Sequence, residues 1–137
     1  MRALILAAGL SLAATAAFAA DPVEGEWLTQ AGTAKVKIAP CGGGKICGHV
    51  SWLKNAADAK ATDANNPDAK LKARPIMGLP MLQGFKPAGP GKWTGGKIYD
   101  PNSGKTYDSK LTVTGAGTLK VEGCILMVCQ AQTWRRS

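Results

Sequence analysis

The sequence is poor in the residues that catalytic sites need. It has a single histidine, His49, and its 137 residues contain neither an H-E-x-x-H nor a G-x-S-x-G motif. His49 falls on the strand face opposite Val50 and Trp52, where a lone histidine is usually solvated surface. We therefore expect a non-enzymatic protein with no catalytic residues and no cofactor.

Acidic residues are also scarce, at 9 against 17 Lys and Arg, which gives a formal net charge of +8. Most of the positive charge comes from 13 lysines scattered singly along the chain. Nucleic-acid binding needs clustered basic residues with interleaved aromatics, so no nucleic-acid partner is expected. The charge instead favours attraction to an anionic component of a cell envelope.

No apolar run of membrane-spanning length follows the first twenty residues, so no transmembrane segment is predicted. The chain begins with Met1-Arg2, continues with an alanine-rich apolar stretch and reaches A-F-A at 17–19. This order is typical of a secretory signal peptide. We predict a signal peptide at 1–19, cleaved after Ala19, and a single exported domain at 20–137 that is monomeric and located in the periplasm.

The four cysteines lack the C-x-x-C spacing of redox motifs. An even number in an exported domain indicates two disulfides, although spacing leaves the connectivity open. We prefer the local pairs Cys41–Cys47 and Cys124–Cys129. A four-cysteine zinc site is disfavoured by the oxidising compartment and by the loose spacing of the cysteines. The segment from Asp63 to Asp68 does not match the EF-hand pattern of a calcium site, so no metal site is predicted.

Short runs in which apolar residues alternate with polar ones make up most of the remaining chain, with glycine clusters between them. The predicted strands are 24–29, 33–39, 46–53, 80–86, 92–100, 105–114, 117–124 and 129–135. About eight antiparallel strands in one small domain form a barrel or a sandwich, and a barrel leaves no exposed edge. The prediction is an all-β, small antiparallel up-and-down β-barrel.

The segment GKIYDPNSGKTYD at 96–108 repeats G-K-x-Y-D on both sides of a turn. A P-loop interpretation fails because Tyr99 stands where the first glycine is required. The segment instead fits a hairpin with Gly104 in the left-handed position, in which the residue numbers of each cross-strand pair add up to 205. Asp100 then faces Lys105 and Lys97 faces Asp108, so two Asp–Lys pairs are expected to fix the register.

One long polar loop, 54–74, interrupts the strand pattern and is a candidate lid. Polar groups on this loop and aromatic side chains on the strands are the candidate ligand-binding residues. They are Trp52, Trp93, Tyr99, Tyr107, Asp63, Asn66, Asp68 and Arg74.

The ends of the domain carry G-x-W at 25–27 and two late arginines, Arg135 and Arg136. This arrangement resembles lipocalin-like (calycin) barrels, in which a terminal arginine lies over the early tryptophan and closes the barrel base. The resemblance assigns barrel closure to Trp27, Arg135 and Arg136.

The chain from Gly25 to Arg135 also resembles a bacterial exported family, the domain of unknown function 2147. The matching segments are G-x-W at 25–27, P-C…C-G at 40–48, D…N-P-D at 63–68, R-P…G-L at 74–79, W-T-G-G at 93–96, I-Y-D-P at 98–101, G-K-T-Y at 104–107, L-K-V-E-G-C at 119–124 and Q-T-W at 132–134. This resemblance implies a small exported barrel and no established activity.

We therefore expect an exported binding module whose barrel holds a small or lipidic ligand or presents its rim to an envelope partner. The alternative is a structural or interaction protein of the envelope, with a filled barrel and a basic surface.

Overall fold

The protein, seen in a computed structural model that describes residues 22–137, is a closed barrel of eight antiparallel strands. Each strand pairs with the next, and β8 pairs with β1. The strands are β1 Gly25–Leu28, β2 Ala34–Gly42, β3 Lys45–Leu53, β4 Pro80–Pro87, β5 Lys92–Asp100, β6 Lys105–Gly115, β7 Thr118–Ile125 and β8 Val128–Arg136. The predicted up-and-down barrel is confirmed. The predicted signal peptide, 1–19, lies outside the described residues.

Up-and-down connectivity gives the barrel two distinct ends. We call the end formed by the β1–β2, β3–β4, β5–β6 and β7–β8 connections the mouth, and the opposite end the base. The β3–β4 connection at the mouth is the long polar loop of the prediction. It contains a one-turn helix, α1 Ala56–Ala59, and a 3-10 turn, Ala69–Leu71, and Thr62 pairs with Pro75 in an isolated bridge.

Large apolar side chains fill the barrel interior. Trp27, Phe85 and Trp134 are buried, as the strand alternation requires of residues on one face. Close packing also depends on one glycine, because a Cβ on Gly96 would lie only 2.4 Å from Cγ of Phe85. The phenyl ring therefore occupies space that any other residue at 96 would take.

The β5–β6 hairpin has the predicted register, with Asp100 opposite Lys105 and Lys97 opposite Asp108. Gly104 ends the loop with a φ of +73°, the left-handed conformation expected there. Lys97 and Asp108 form the expected ion pair.

The second expected ion pair is not formed. The Asp100 carboxylate accepts a hydrogen bond from the backbone N–H of Asn102 at 2.9 Å and another from the Ser103 hydroxyl at 2.9 Å. It therefore stabilises the turn, and the ion pairs of residues 22–137 do not include Asp100 with Lys105. The short Asp side chain reaches the backbone and hydroxyl groups of its own turn more easily than it reaches the lysine on the opposite strand.

The alternation predicted along β3 fails at Trp52. The pairing of β2 with β3 shifts by one residue, so that Val36 faces Val50 whereas Lys35 faces Trp52. The extra residue of this bulge moves Trp52 off the face that carries Val50. Its side chain is 36% exposed, and Lys35 Nζ lies 5.1 Å from the ring centroid.

Both predicted disulfides are present. Cys41–Cys47 joins β2 to β3, and Cys124–Cys129 joins β7 to β8 close to the mouth. Each closes a loop within one hairpin, so each constrains the unfolded chain only locally. Disulfides in a small barrel are consistent with an exported protein.

Candidate functional site

A pocket of about 810 Å³ opens at the mouth of the barrel. Its wall combines strand residues with parts of the β1–β2, β3–β4 and β5–β6 connections, and its apolar, amide and phenol groups include Ile76, Met81, Ile98, Tyr107, Gln130 and Gln132. The interior is thus filled towards the base and open towards the mouth.

The β7–β8 pair supplies one side of this pocket. Gly123 faces Gln130 and Val121 faces Gln132, so both glutamines lie on the same face of β8 as the buried Trp134. The Trp134 indole N–H donates to Gln132 Oε1 at 2.8 Å. This bond uses the amide oxygen, which makes the NH₂ group of Gln132 the donor that a bound molecule would meet.

The β3–β4 connection is held to the barrel by a buried carboxylate, Asp63, which is 0% exposed. Its Oδ1 accepts from the Tyr99 hydroxyl at 2.6 Å. Its Oδ2 accepts from Asn66 Nδ2 at 2.8 Å and from Arg74 Nε at 2.9 Å. The Arg74 guanidinium also lies 5.4 Å from the centroid of the Tyr99 ring. These four residues, named here the Asp63 cluster, join the long connection to β5.

The environment of the Asp63 cluster shifts two pKa values in opposite directions. Burial by itself raises the pKa of Asp63, but hydrogen bonds from Tyr99, Asn66 and Arg74, together with the Arg74 charge, outweigh it and lower the pKa below its ordinary 3.8. Burial, and then the bond and charge of Asp63, raise the pKa of Tyr99 above 10.0. Near neutral pH the carboxylate is therefore ionised and the phenol protonated, which is the state that the hydrogen bonds require.

A second set of contacts joins the long connection to the β5–β6 loop. The Asn65 side-chain NH₂ donates to the backbone carbonyls of Pro101 at 3.2 Å and of Asn102 at 3.1 Å. Gly104 lies directly beneath, where a Cβ would be 1.9 Å from the Asn65 carbonyl oxygen. Both sets of contacts position the connection over one side of the mouth.

The base of the barrel is closed by Trp27 and Arg136. The Trp27 indole N–H donates to the Val23 carbonyl at 2.8 Å, and the Arg136 guanidinium carbon lies 4.1 Å from the Trp27 ring centroid. Arg136 also donates to the carbonyls of Pro22 and Glu24. The contact with Trp27 belongs to Arg136 and not to Arg135, because adjacent strand residues point to opposite faces and Arg136 pairs with Trp27.

The residues predicted to bind a ligand are distributed over five environments. Tyr99 and Tyr107 line the pocket. Trp93 is buried in the core, Trp52 lies on the outer surface, and Asp68 accepts from the Lys70 N–H at the start of the 3-10 turn. Asp63 accepts hydrogen bonds from Asn66, Arg74 and Tyr99 in the Asp63 cluster. The polar candidates thus hold the long connection in place, and the pocket wall is made largely of other residues.

The sequence signal that could have identified Gln130 and Gln132 is their position two and four residues before Trp134 on one strand. Polar residues on the interior face of a barrel strand indicate that the interior is not filled with apolar side chains at that level. Ile76 carries no such signal, because its place in the wall depends on how the long connection folds back.

One group of possible metal ligands occurs in the described part of the chain: Glu122, Cys124 and Cys129. The two sulfur atoms form the Cys124–Cys129 disulfide and are not thiolates. The group therefore lacks the ligands that a thiolate metal site needs. In residues 22–137 no helix is long and apolar enough to cross a membrane.

The closed eight-stranded barrel with its arginine-covered tryptophan is of the lipocalin type. A solved structure with this fold is that of protein HP1028 from Helicobacter pylori, described as belonging to the lipocalin family. The two chains are 24% identical with a TM-score of 0.73, and the match covers 83% of this chain and 82% of the other. At this identity the comparison establishes a common fold.

The chain itself belongs to the family described as "Uncharacterized protein conserved in bacteria (DUF2147)", whose model matches residues 25–136. The resemblance identified from the sequence motifs is thereby confirmed. No curated protein matches this sequence.

Proposed function

We propose that this protein is an exported, non-enzymatic binding protein that holds a small molecule with both apolar and uncharged polar groups in the mouth pocket. The observation that carries the proposal is the pocket itself, whose volume of about 810 Å³ lies within the range of about 300–1,000 Å³ found for ligand sites. The wall places aliphatic side chains beside hydroxyl, amide and phenol groups, and ligand sites use such polar groups to fix the orientation of a bound molecule.

The charge of the wall restricts the chemistry of the ligand. Among the described residues, no lysine or arginine lines the pocket, whereas Asp58 and Asp100 do. A negatively charged headgroup would find no partner inside and would stay at the opening. The buried part of the ligand is therefore an acyl chain or similar apolar body, with an uncharged polar group within reach of Gln130, Gln132 or Tyr107.

Export to the periplasm is part of the same proposal. Its support is the pair of disulfides, which form and persist in oxidising compartments, and the signal-peptide pattern of residues 1–19. Mass spectrometry of the protein from a periplasmic fraction tests this directly. A mass that begins at Ala20 with both disulfides formed is expected, and an uncleaved chain in the cytoplasm would contradict it.

The binding test uses the uncharged fluorophore N-phenyl-1-naphthylamine, with Gly123→Leu as the blocking variant. A Cβ at 123 would lie 3.6 Å from Cγ2 of Ile98 and 3.8 Å from Cβ of Tyr107, which are ordinary contacts, so the larger side chain fits and fills pocket space. We expect affinity to fall by about tenfold or more, since the ligand loses the apolar surface that it contacted.

Gly117→Leu is the matched control, because its Cβ would contact only Cβ of Arg136, at 3.9 Å, away from the mouth. It should bind the probe like the natural chain. A long-chain alcohol should compete better than the acid of equal length. If the natural chain does not bind the probe, or if Gly123→Leu binds it unchanged, the pocket is not a binding site and the structural alternative is favoured.

A further inference from the structure

The β7–β8 hairpin carries an exposed apolar tip. Its residues Ile125, Leu126, Met127 and Val128 follow one another without a polar residue, and Leu126 and Met127 are 89% and 95% exposed. The disulfide Cys124–Cys129 joins the two strands directly below the tip. The tip is therefore presented rigidly, and it loses little conformational freedom when it is buried by a partner.

The turn holds a large side chain in a backbone conformation that such residues rarely adopt. Leu126 has a φ of 55°, and it is the one non-glycine residue between 22 and 137 with a positive φ. A two-residue hairpin turn with this backbone usually uses glycine or asparagine. A large aliphatic residue there strains the backbone without packing in the core, which points to a role for its exposed surface.

Apolar exposure is confined to this end of the molecule. In the described part of the chain, the large hydrophobic residues that are at least 36% exposed are the four tip residues, Leu71 and Met77 in the β3–β4 connection, and Trp52 near the mouth end of β3. The base exposes none of this kind. Such a one-sided distribution marks an interaction surface.

Positive charge accompanies the apolar surface. The exposed charged residues of the β3–β4 connection are the lysines Lys54, Lys60, Lys70 and Lys72 and the acids Asp58 and Asp68, and the exposed Lys105 follows the β5–β6 loop. Lysines therefore exceed acids at the mouth, within a chain of net charge +8. An apolar projection at an end of the barrel that also carries exposed lysines is complementary to an anionic bilayer, since the acyl chains accept the tip and the headgroups attract the lysines.

We propose that the mouth end of the barrel docks on the surface of an anionic lipid bilayer, with Leu126 and Met127 inserted among the headgroups. A projecting two-residue turn fits a fluid surface, which closes around it without a preformed recess. Docking would turn the pocket opening towards lipid. It goes beyond the proposed function, because it requires only the tip and the lysines, and neither Leu126 nor Met127 lines the pocket.

The test is cosedimentation of the disulfide-intact protein with vesicles of phosphatidylethanolamine and phosphatidylglycerol, compared with phosphatidylcholine vesicles. The double variant Leu126→Asn/Met127→Ser removes the apolar tip, and Asn tolerates the left-handed φ at 126. We expect its partition into anionic vesicles to fall by about tenfold or more, because two side chains lose their apolar environment.

Charge is tested by two lysine pairs of equal charge change. Lys70→Ser/Lys72→Ser at the mouth should weaken binding to anionic vesicles by about fivefold or more, whereas Lys86→Ser/Lys92→Ser, beside the β4–β5 connection at the base, should leave it nearly unchanged. All four proteins must show the same thermal unfolding. Equal losses for both lysine pairs would mean general charge attraction and would overturn the assignment of the mouth end.

Three further outcomes would also overturn the proposal. These are no sedimentation of the natural chain at low salt, unchanged sedimentation of the tip variant, and a dimer by light scattering that the tip variant abolishes, which would make a second copy the occupant. Probe binding by the pocket is measured separately. The tip variant should still bind the probe, whereas Gly123→Leu should not bind it but should still sediment with anionic vesicles. Failure of one proposal therefore leaves the other measurable.

Discussion

Replacing Asp63 by asparagine changes the charge of a buried group while keeping its size. The amide oxygen can still accept from Asn66 and Arg74, and the NH₂ can face the Tyr99 oxygen, so the geometry is retained. What is lost is the negative charge that strengthens three hydrogen bonds of 2.6–2.9 Å. Arg74 also loses its counter-charge.

The expected size of the effect follows from these bonds. A hydrogen bond to an ionised group contributes about 1.5–3 kcal/mol and a neutral one about 0.5–1.5 kcal/mol, so each bond weakens by about 1 kcal/mol. The Arg74 side chain is 25% exposed, and water compensates part of its loss. We therefore expect Asp63→Asn to lower the free energy of unfolding by about 2–3 kcal/mol.

The assay is urea unfolding at neutral pH with both disulfides intact, followed by tryptophan fluorescence. Asp68→Asn is the matched control, because Asp68 lies in the same connection, is exposed and accepts only the local bond from Lys70 at 3.0 Å. It should cost no more than about 1 kcal/mol. A loss below about 0.5 kcal/mol for Asp63→Asn would refute the inference that the cluster holds the connection in place.

Acid should remove the difference between the two proteins. The pKa of Asp63 is lowered on folding, so its stabilising contribution is present above the unfolded value near 3.8 and is lost as pH falls through the lower folded value. The natural chain should therefore approach Asp63→Asn in stability as the pH falls below 3.8. A gap that stays constant over this range would contradict the assignment of the charge to Asp63.

Three other changes test the remaining contacts. The natural chain should lose stability above pH about 10, and Tyr99→Phe should not, because the raised pKa of Tyr99 gives the phenol a stabilising contribution that is complete below its unfolded pKa and lost as pH rises towards its folded pKa. Urea unfolding at a series of alkaline pH values checks this. Arg136→Ala should lower the free energy of unfolding by about 1–3 kcal/mol through loss of the cation–π contact and two carbonyl bonds, against at most about 0.5 kcal/mol for Arg135→Ala. Gly104→Ala should cost about 2 kcal/mol more than Gly32→Ala, since both have φ +73° but only the first Cβ meets backbone, at 1.9 Å; equal losses would show that the contact with the long connection is unimportant.

The barrel could be predicted because its determinants are local. Apolar alternation gives each strand, glycine clusters give the turns, and the β5–β6 register follows from the position of Gly104 in a four-residue loop. The two disulfides join residues only 6 and 5 positions apart, and the preference for local pairs rests on these short separations. Trp52 departs from the pattern because a bulge depends on the partner strand, which alternation within one strand does not describe.

The use of each polar group could not be predicted in this way. Asp63 and Tyr99 are 36 positions apart and bond only because the β3–β4 connection folds back onto β5, so residues selected as ligand contacts hold that connection in place. The opening of the barrel depends on which interior positions remain unfilled at one end, a property of several strands together. Strand order and the register of the β5–β6 hairpin therefore follow from residues that are neighbours in the chain. The place where the pocket opens, and the side chains that face a ligand or a membrane, depend on contacts between distant segments and follow only from the folded structure.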